Sequence, residues 1–517
     1  MRLKRNALSS FKGFVFCITL LPTLHAQTTD SASSSTQPNF VIILADDLGY
    51  GDIGAYRKLN GGVDNKPEAY KYTPNMDRLA NEGVMFSRAY ATGWCAPSRQ
   101  VLLSGMWVGR KSATEQPWLG NRFRKMGYTT GLVGKVHGKY PIERCYDNTN
   151  PVSAEFDDGL FFNGGARPSY MKKGEVLPMR RALKPSEYIA GEGEYITDLF
   201  TDHAVDFIKR NQNNPFMLYI AHTAPHSPLQ GKPEDMRKLF PDRFGSMSDE
   251  EIRKSATKKS NDALMADHYT GMVYGLDRNI GRVMETLRAF EIADNTVVII
   301  VSDNGAIEGS NYPLDGHKWD GLEGGIRVPM IIWSKEFMES EASGSVCDRM
   351  VSLADVVPTT LAAAGSTEKL QTDGMNLIPH LTGGKPWPEH RRYLITNSCY
   401  TFQNTGAMDF GFEYNNGQQL MQCVYITDES KIISWNPNKT KNIGVVYKEL
   451  PNITSKGSFN ILIKEETPKD GVVPKSGPGL NLFNEMIGVI INSDGDVLQT
   501  WSCATPKELA NYKWWWE

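Results

Sequence analysis

The chain has 517 residues, 40% hydrophobic and 22% charged, a globular composition that excludes disordered and fibrous classes and leaves room for one large domain plus a smaller one. A formal net charge of -3 gives no general electrostatic reason to bind nucleic acid or an acidic membrane surface, so any anionic substrate has to be held by a local pocket. Seven cysteines are too few for a disulfide scaffold, and no CxxC spacing supports a zinc or redox pair.

Arg2, Lys4 and Arg5 precede an apolar stretch from Gly13 to Leu24, followed by His25, Ala26 and Gln27, which reads as a secretory signal over residues 1–27. The stretch is short for a bilayer span, so export to the periplasm or the medium is expected, without stable membrane insertion. Residues 28–37, rich in Ser and Thr, read as a disordered leader. From Asn39 to Ala45 a continuous apolar run ends in Asp46 and Asp47, the pattern of a strand buried on both faces of a parallel sheet. Further on lies GWCAPSRQVLLSG. Pro97 restrains its backbone and Gln100 to Leu103 can start a helix, so Cys95 is expected at a helix N-terminus, where anions are favoured. A small packing cysteine fits these residues equally well.

In GYTTGLVGKVH, from Gly127 to His137, strand spacing projects Lys135 and His137 to one side when Val136 points inward. A cation beside an imidazole can hold an anion and move a proton; a solvated lysine and a surface histidine are the alternative. Pro215 to Ala221 is the next strand, followed directly by His222 and then by His226 between Pro225 and Pro228. The prolines fix the loop and make His226 the stronger candidate for a general acid, whereas His222 is as readily structural. Met272, Leu276, Ile280 and Val283 mark a helix from Met265 to Leu287. Thr296 to Ser302 is a strand closed by Asp303 and Asn304. Lys318 sits in GHKWDGLEGGIRVP, whose glycines let the backbone approach a ligand, and Val328 to Trp333 is a further strand.

Strands alternating with helices predict an α/β sheet whose site is built at the strand carboxyl ends. There Asp46, Asp47, Asp303 and Asn304 would converge as hard oxygen ligands, which favours calcium or magnesium over zinc. Each pair alone is also an ordinary turn or helix cap. After about His390 the runs shorten, and Cys423–Thr427 with Lys431–Trp435 predict a hairpin within an antiparallel C-terminal subdomain, residues 391–517.

Six of these segments resemble the type I sulfatases of the alkaline phosphatase superfamily, in that family's order: ADDLGYGD (Ala45–Asp52), CAPSR, GK with His137, PHSP (Pro225–Pro228), SDNG (Ser302–Gly305) and EGGIRVP (Glu323–Pro329). The resemblance implies a catalytic domain over 38–390 with an alkaline-phosphatase-like central mixed sheet flanked by helices. It implies that a formylglycine-generating enzyme converts Cys95 to formylglycine (3-oxoalanine), with Pro97 and Arg99 as recognition marks. Asp46, Asp47, Asp303 and Asn304 match the Ca2+ ligands, the modified Cys95 completing the site. Arg99, Lys135, His137, His226 and Lys318 match the polar residues around the nucleophile and the sulfate. The implied substrate is a sulfated polysaccharide or oligosaccharide, since an exported enzyme with a short basic leader resembles bacterial glycan-degrading members. Trp94 and Trp319 offer stacking faces for it; His222, without a firm family counterpart, is placed beside them as a substrate contact. Val136 stands where the family commonly has an aromatic residue, and Trp94 is bulkier than expected. A phosphate or phosphonate ester hydrolase of the same superfamily, or a silent sulfated-glycan-binding protein with Cys95 unconverted, are the competing functions.

Overall fold

A computed structural model describes residues 37–61, 68–107, 117–137, 155–256, 262–319, 322–335, 339 and 342–383, with the backbone of four further strands between 393 and 448. The signal segment, the leader up to residue 36 and most of the region after 383 lie outside the described residues.

The main sheet is built from β1 (Asn39–Asp46), β2 (Val84–Tyr90), β3 (Thr129–Val136), β4 (Asp158–Asn163), β5 (Val176–Arg181), β6 (Lys184–Ile189), β7 (Phe216–Pro225), β8 (Thr296–Ser302), β9 (Arg327–Trp333), β10 (Ser345–Cys347) and β11 (Val351–Ser352). Their order is β10-β2-β9-β8-β1-β7-β3-β4-β5-β6, with β11 also on β2. The central strands β8, β1, β7, β3 and β4 run parallel, and β9 is antiparallel to both β8 and β2. β2 therefore points the same way as β8 and β1. The carboxyl ends of β1, β2, β3, β7 and β8 consequently share one edge, as a parallel α/β sheet requires of its site.

All eight residues of β1 are buried, because helices cover both faces. Phe40, Ile42 and Leu44 pack with Val101, Leu102 and Leu103 of the helix Cys95–Ser104. Val41, Ile43 and Ala45 face the other way, toward helices Ile196–Asn211 and Asp262–Ala289. The period of two splits the strand between the two core layers. The long helix carries the predicted Met272, Leu276, Ile280 and Val283 stripe into that second layer, each side chain contributing ~1.5–3 kcal/mol of burial. β7 runs on to Pro225, four residues beyond the predicted end, so His222 lies within the strand and not after it. Separately, β12 (Tyr393–Cys399), β13 (Met421–Thr427), β14 (Ser430–Asn436) and β15 (Ile443–Lys448) form an antiparallel sheet. The expected hairpin is present as β13 and β14, with Ile426 opposite Lys431.

Two buried histidines make the fold acid-sensitive. His268 accepts the Gly231 N–H at Nδ1 (3.0 Å) and contacts Ser255 Oγ at 2.9 Å through Nε2, so a second ring proton would face a backbone donor. Burial lowers His268 and His222 to about 4. Unfolded imidazoles take a proton near pH ~6.5, so between there and about 4 the unfolded chain binds more protons and stability falls as pH falls. Each group is expected to cost about 3 kcal/mol across that window. Melting curves check this: the slope should shrink in His268→Gln, and an unchanged slope contradicts it.

Candidate active site

Cys95 opens the helix Cys95–Ser104, and Gly105 closes it at φ 75. Pro97 falls in the first turn, where its missing N–H leaves no intrahelical bond unmade. Ser98 Oγ receives the Thr92 N–H at 3.0 Å and pins the approach from β2. This puts the Cys95 thiol, 2% exposed, directly over the end of β1. Its Sγ donates to Asp46 Oδ1 at 3.3 Å, receives Lys318 Nζ at 3.0 Å and lies 4.0 Å from Asp47 Oδ1.

Three carboxylates and three cations interleave around that sulfur. Lys135 Nζ donates to Asp46 Oδ2 at 2.5 Å, and Lys318 Nζ to Asp47 Oδ1 at 2.6 Å. Arg99 grips Asp303 Oδ2 through Nε (3.2 Å) and Nη2 (2.7 Å), and donates from Nη1 to the Lys135 carbonyl at 2.9 Å. Asp303 Oδ1 accepts the Asp47 N–H at 3.2 Å. Burial acts to raise Asp46, but Lys135, His226, Arg99 and Lys318 together hold it well below the usual carboxylate range. Burial, and then the charge of Asp46, push Asp303 up to about 7 against the pull of Arg99 and Lys135. Burial, then Asp303 and Asp46, raise the Cys95 thiol far above its ordinary value, so the unmodified side chain is a protonated, weak nucleophile.

Two histidines flank the cluster from separate strands. His226 bonds through Nδ1 to the Ser227 carbonyl at 2.5 Å, which leaves Nε2 3.7 Å from Asp47 Oδ2. His137 follows β3, with its Nδ1 buried and without a hydrogen-bond partner among the described residues and its Nε2 toward Gly165, where a methyl group would stand 3.3 Å away. Burial, Lys135 and Arg99 keep His137 well below its ordinary pKa, so its ring is a neutral proton acceptor. Trp94 precedes Cys95 half-buried, and the Trp319 N–H donates to the Gly93 carbonyl at 2.6 Å, tying the two loops together. Lys318 Nζ lies 5.6 Å from the Trp319 ring centre.

The donor set fits a hard divalent cation. Asp46, Asp47, Cys95 and His226 offer atoms within 4.8 Å of one another. Asn304 donates from Nδ2 to Asp47 Oδ1 at 2.7 Å while its Oδ1 is buried and has no donor among the described residues, an oxygen with the chemistry of a ligand. This tight group includes His226, which the sequence pattern assigned to proton transfer alone.

His222 is not brought to this cluster. It is 1% exposed, and the charge that acts on it is that of Asp198 on the helix Ile196–Asn211. Other residues face the site without having been anticipated. Tyr219, from the middle of β7, lies buried in the field of Arg99, Asp303 and Asp46. Behind the cluster, the Tyr269 hydroxyl contacts both the Asp47 carbonyl and the Asp52 carboxylate.

Comparison with known proteins is consistent with this geometry. A family model described as Sulfatase matches residues 38–366. The chain is 29% identical over 431 residues to the uncharacterized sulfatase YdeN of Escherichia coli, covering 72% of this chain and 71% of that one. It is 29% identical over 398 residues to N-acetylgalactosamine-6-sulfatase of Homo sapiens, covering 68% of each. Among solved structures, Ps i-CgsB in complex with k-i-k-neocarrahexaose superposes with a TM-score of 0.58 at 26% identity, covering 80% of this chain and 86% of that one.

Proposed function

Because the chain belongs to the sulfatase family, we propose that it is an exported sulfuric ester hydrolase that removes sulfate from a sulfated polysaccharide or oligosaccharide, with formylglycine made from Cys95 as its nucleophile. One observation carries the reading: the Cys95 side chain heads a helix between Asp46 Oδ1 at 3.3 Å and Lys318 Nζ at 3.0 Å. A position so tightly flanked by fixed charges is suited to a group that reacts. The substrate class is supported by the name of the human relative and by the oligosaccharide in the Ps i-CgsB complex. The basic and apolar segment over 1–27 supports export, and no helix among the described residues is long and apolar enough to cross a membrane.

A hydrated aldehyde at residue 95 carries two hydroxyls. One gives its proton to Asp46, whose Oδ1 accepts from the residue 95 side chain, as its oxygen bonds to sulfur and the bond from sulfur to the sugar oxygen breaks; the sugar oxygen takes a proton from His226 in its imidazolium form, assisted by Lys318. Arg99, Lys135 and Lys318 balance the negative charge gathered there, already held in place by Asp303, Asp46 and Asp47. The second hydroxyl then gives its proton to the neutral His137, the carbon to sulfate-oxygen bond breaks, and the aldehyde returns as inorganic sulfate leaves. Water rehydrates it for the next cycle. Asp46, Asp47, Asp303, Asn304 and residue 95 would hold Ca2+, ahead of Mg2+; when bound, the ion supplies positive charge that acidifies a hydroxyl of residue 95 and offsets the sulfate. Trp94 and Trp319, linked through the Gly93 carbonyl, provide faces on which a sugar ring can stack.

A panel of sulfated glycans, with release of inorganic sulfate measured and the freed hydroxyl located by NMR, tests the reading. Release from one glycan class at a defined position is expected. No release from any, together with faster cleavage of aryl phosphates or phosphonates, contradicts it and favours the related ester hydrolases.

A further inference from the structure

The last residue of ADDLGYGD, Asp52, has no part in the chemistry above, yet it is fully buried behind the cluster. Its neighbourhood explains an unusual backbone. Asp47 adopts φ 65, a left-handed conformation that a non-glycine residue keeps only where its surroundings impose it. That conformation sends its N–H to Asp303 Oδ1 and its carboxylate toward Lys318, His226 and Cys95. The carbonyl turns the opposite way, to Tyr269 Oη at 3.2 Å. The same hydroxyl lies 2.5 Å from Asp52 Oδ2, so its proton is shared between Asp52 and the Asp47 carbonyl. Asp52 is fixed in turn by the N–H groups of Gly49 and Ser310, both at 3.0 Å, which joins the loop after β1 to the loop after β8. The packing leaves no slack: a Cβ at Gly309 would lie 2.1 Å from Tyr269 Oη, and one at Gly49 2.2 Å from the Ser310 carbonyl.

Resting on the sulfatase reading above, we infer that Tyr269 and Asp52 are positioning residues that lock Asp47 in its left-handed conformation and thereby preset the cation-binding carboxylate. Neither touches substrate. Tyr269 is 1% exposed and acts from the long helix beneath the sheet edge, so its effect reaches the reaction only through Asp47.

Tyr269→Phe removes the hydroxyl and nothing else. Calorimetric titration of chelator-stripped protein with calcium chloride should show affinity weakened ~10- to 100-fold, and turnover of p-nitrophenyl sulfate should show kcat reduced with KM little changed. Asp52→Asn, which preserves volume, should shift both readouts in the same direction and stands in if Tyr269→Phe does not fold. Val283→Ala, a cavity in the same helix, should lower the melting temperature while leaving calcium affinity and kcat at wild-type values. Wild-type calcium affinity in both Tyr269→Phe and Asp52→Asn overturns the inference, as does an equal loss in Val283→Ala at matched stability. A wild-type protein that binds no calcium overturns the metal reading beneath it, and the inference with it.

Discussion

Replacing Cys95 with serine is expected to abolish multiple turnover, a loss on the order of 10⁴-fold or more, while leaving the fold intact. Serine is close in size to cysteine and its hydroxyl can keep both polar contacts of the thiol, the donation to Asp46 and the acceptance from Lys318. Stability should therefore change by no more than about 1 kcal/mol. The chemistry does not survive the exchange. A serine that attacks sulfur becomes an ordinary sulfate ester, without the second hydroxyl whose deprotonation by His137 expels sulfate. Intact-protein mass measurement after incubation with substrate should show at most one sulfate retained per chain. Turnover at the native rate by the serine variant contradicts the mechanism.

Removal of divalent cations is the second large effect. Asp46, Asp47 and Asp303 are buried together, and burial with the neighbouring Asp46 charge pushes Asp303 up to about 7. A bound cation favours the ionised carboxylates and gives Asn304 Oδ1, which has no donor among the described residues, a partner. A calcium chelator should reduce activity to background and lower the melting temperature; the stabilisation recovered on adding back calcium at a hundredfold excess over Kd is about 2.7 kcal/mol. Calcium should restore activity fully, magnesium in part and zinc not at all, since the expected ligands Asp46, Asp47, Asp303 and Asn304 all offer oxygen and a hydrated aldehyde at residue 95 would offer oxygen in place of sulfur. Full activity in chelator, or rescue by zinc alone, contradicts the assignment.

Much of the site was legible because it obeys one rule: polar residues that interrupt buried parallel strands collect at the carboxyl edge. Asp46, Asp47, Asp303 and Asn304 are found that way, Lys135 by its strand spacing to His137 and His226 by the prolines that bracket it, and the structure brings all six around Cys95. The residues that were missed break that rule. Tyr219 sits in the middle of β7, where an aromatic residue reads as core. Tyr269 lies 222 residues from the Asp47 carbonyl it contacts, in a helix whose periodicity announces packing only. His222 was misplaced because the apolar run ends at Ala221 while the backbone pairing continues to Pro225. Among the strands, β5 and β6 carried no usable pattern: β6 is an exposed edge with Pro185 in it, so no alternation of burial is imposed on its side chains.

The state of residue 95 decides between an enzyme that turns over and a protein that only holds sulfate. A mass spectrum of the peptide containing Cys95, taken from protein purified from its native host, reads it directly. An aldehyde in place of the thiol, trapped by a hydrazide reagent, is the predicted result. An unmodified thiol in protein that still releases sulfate would contradict the mechanism set out for this site.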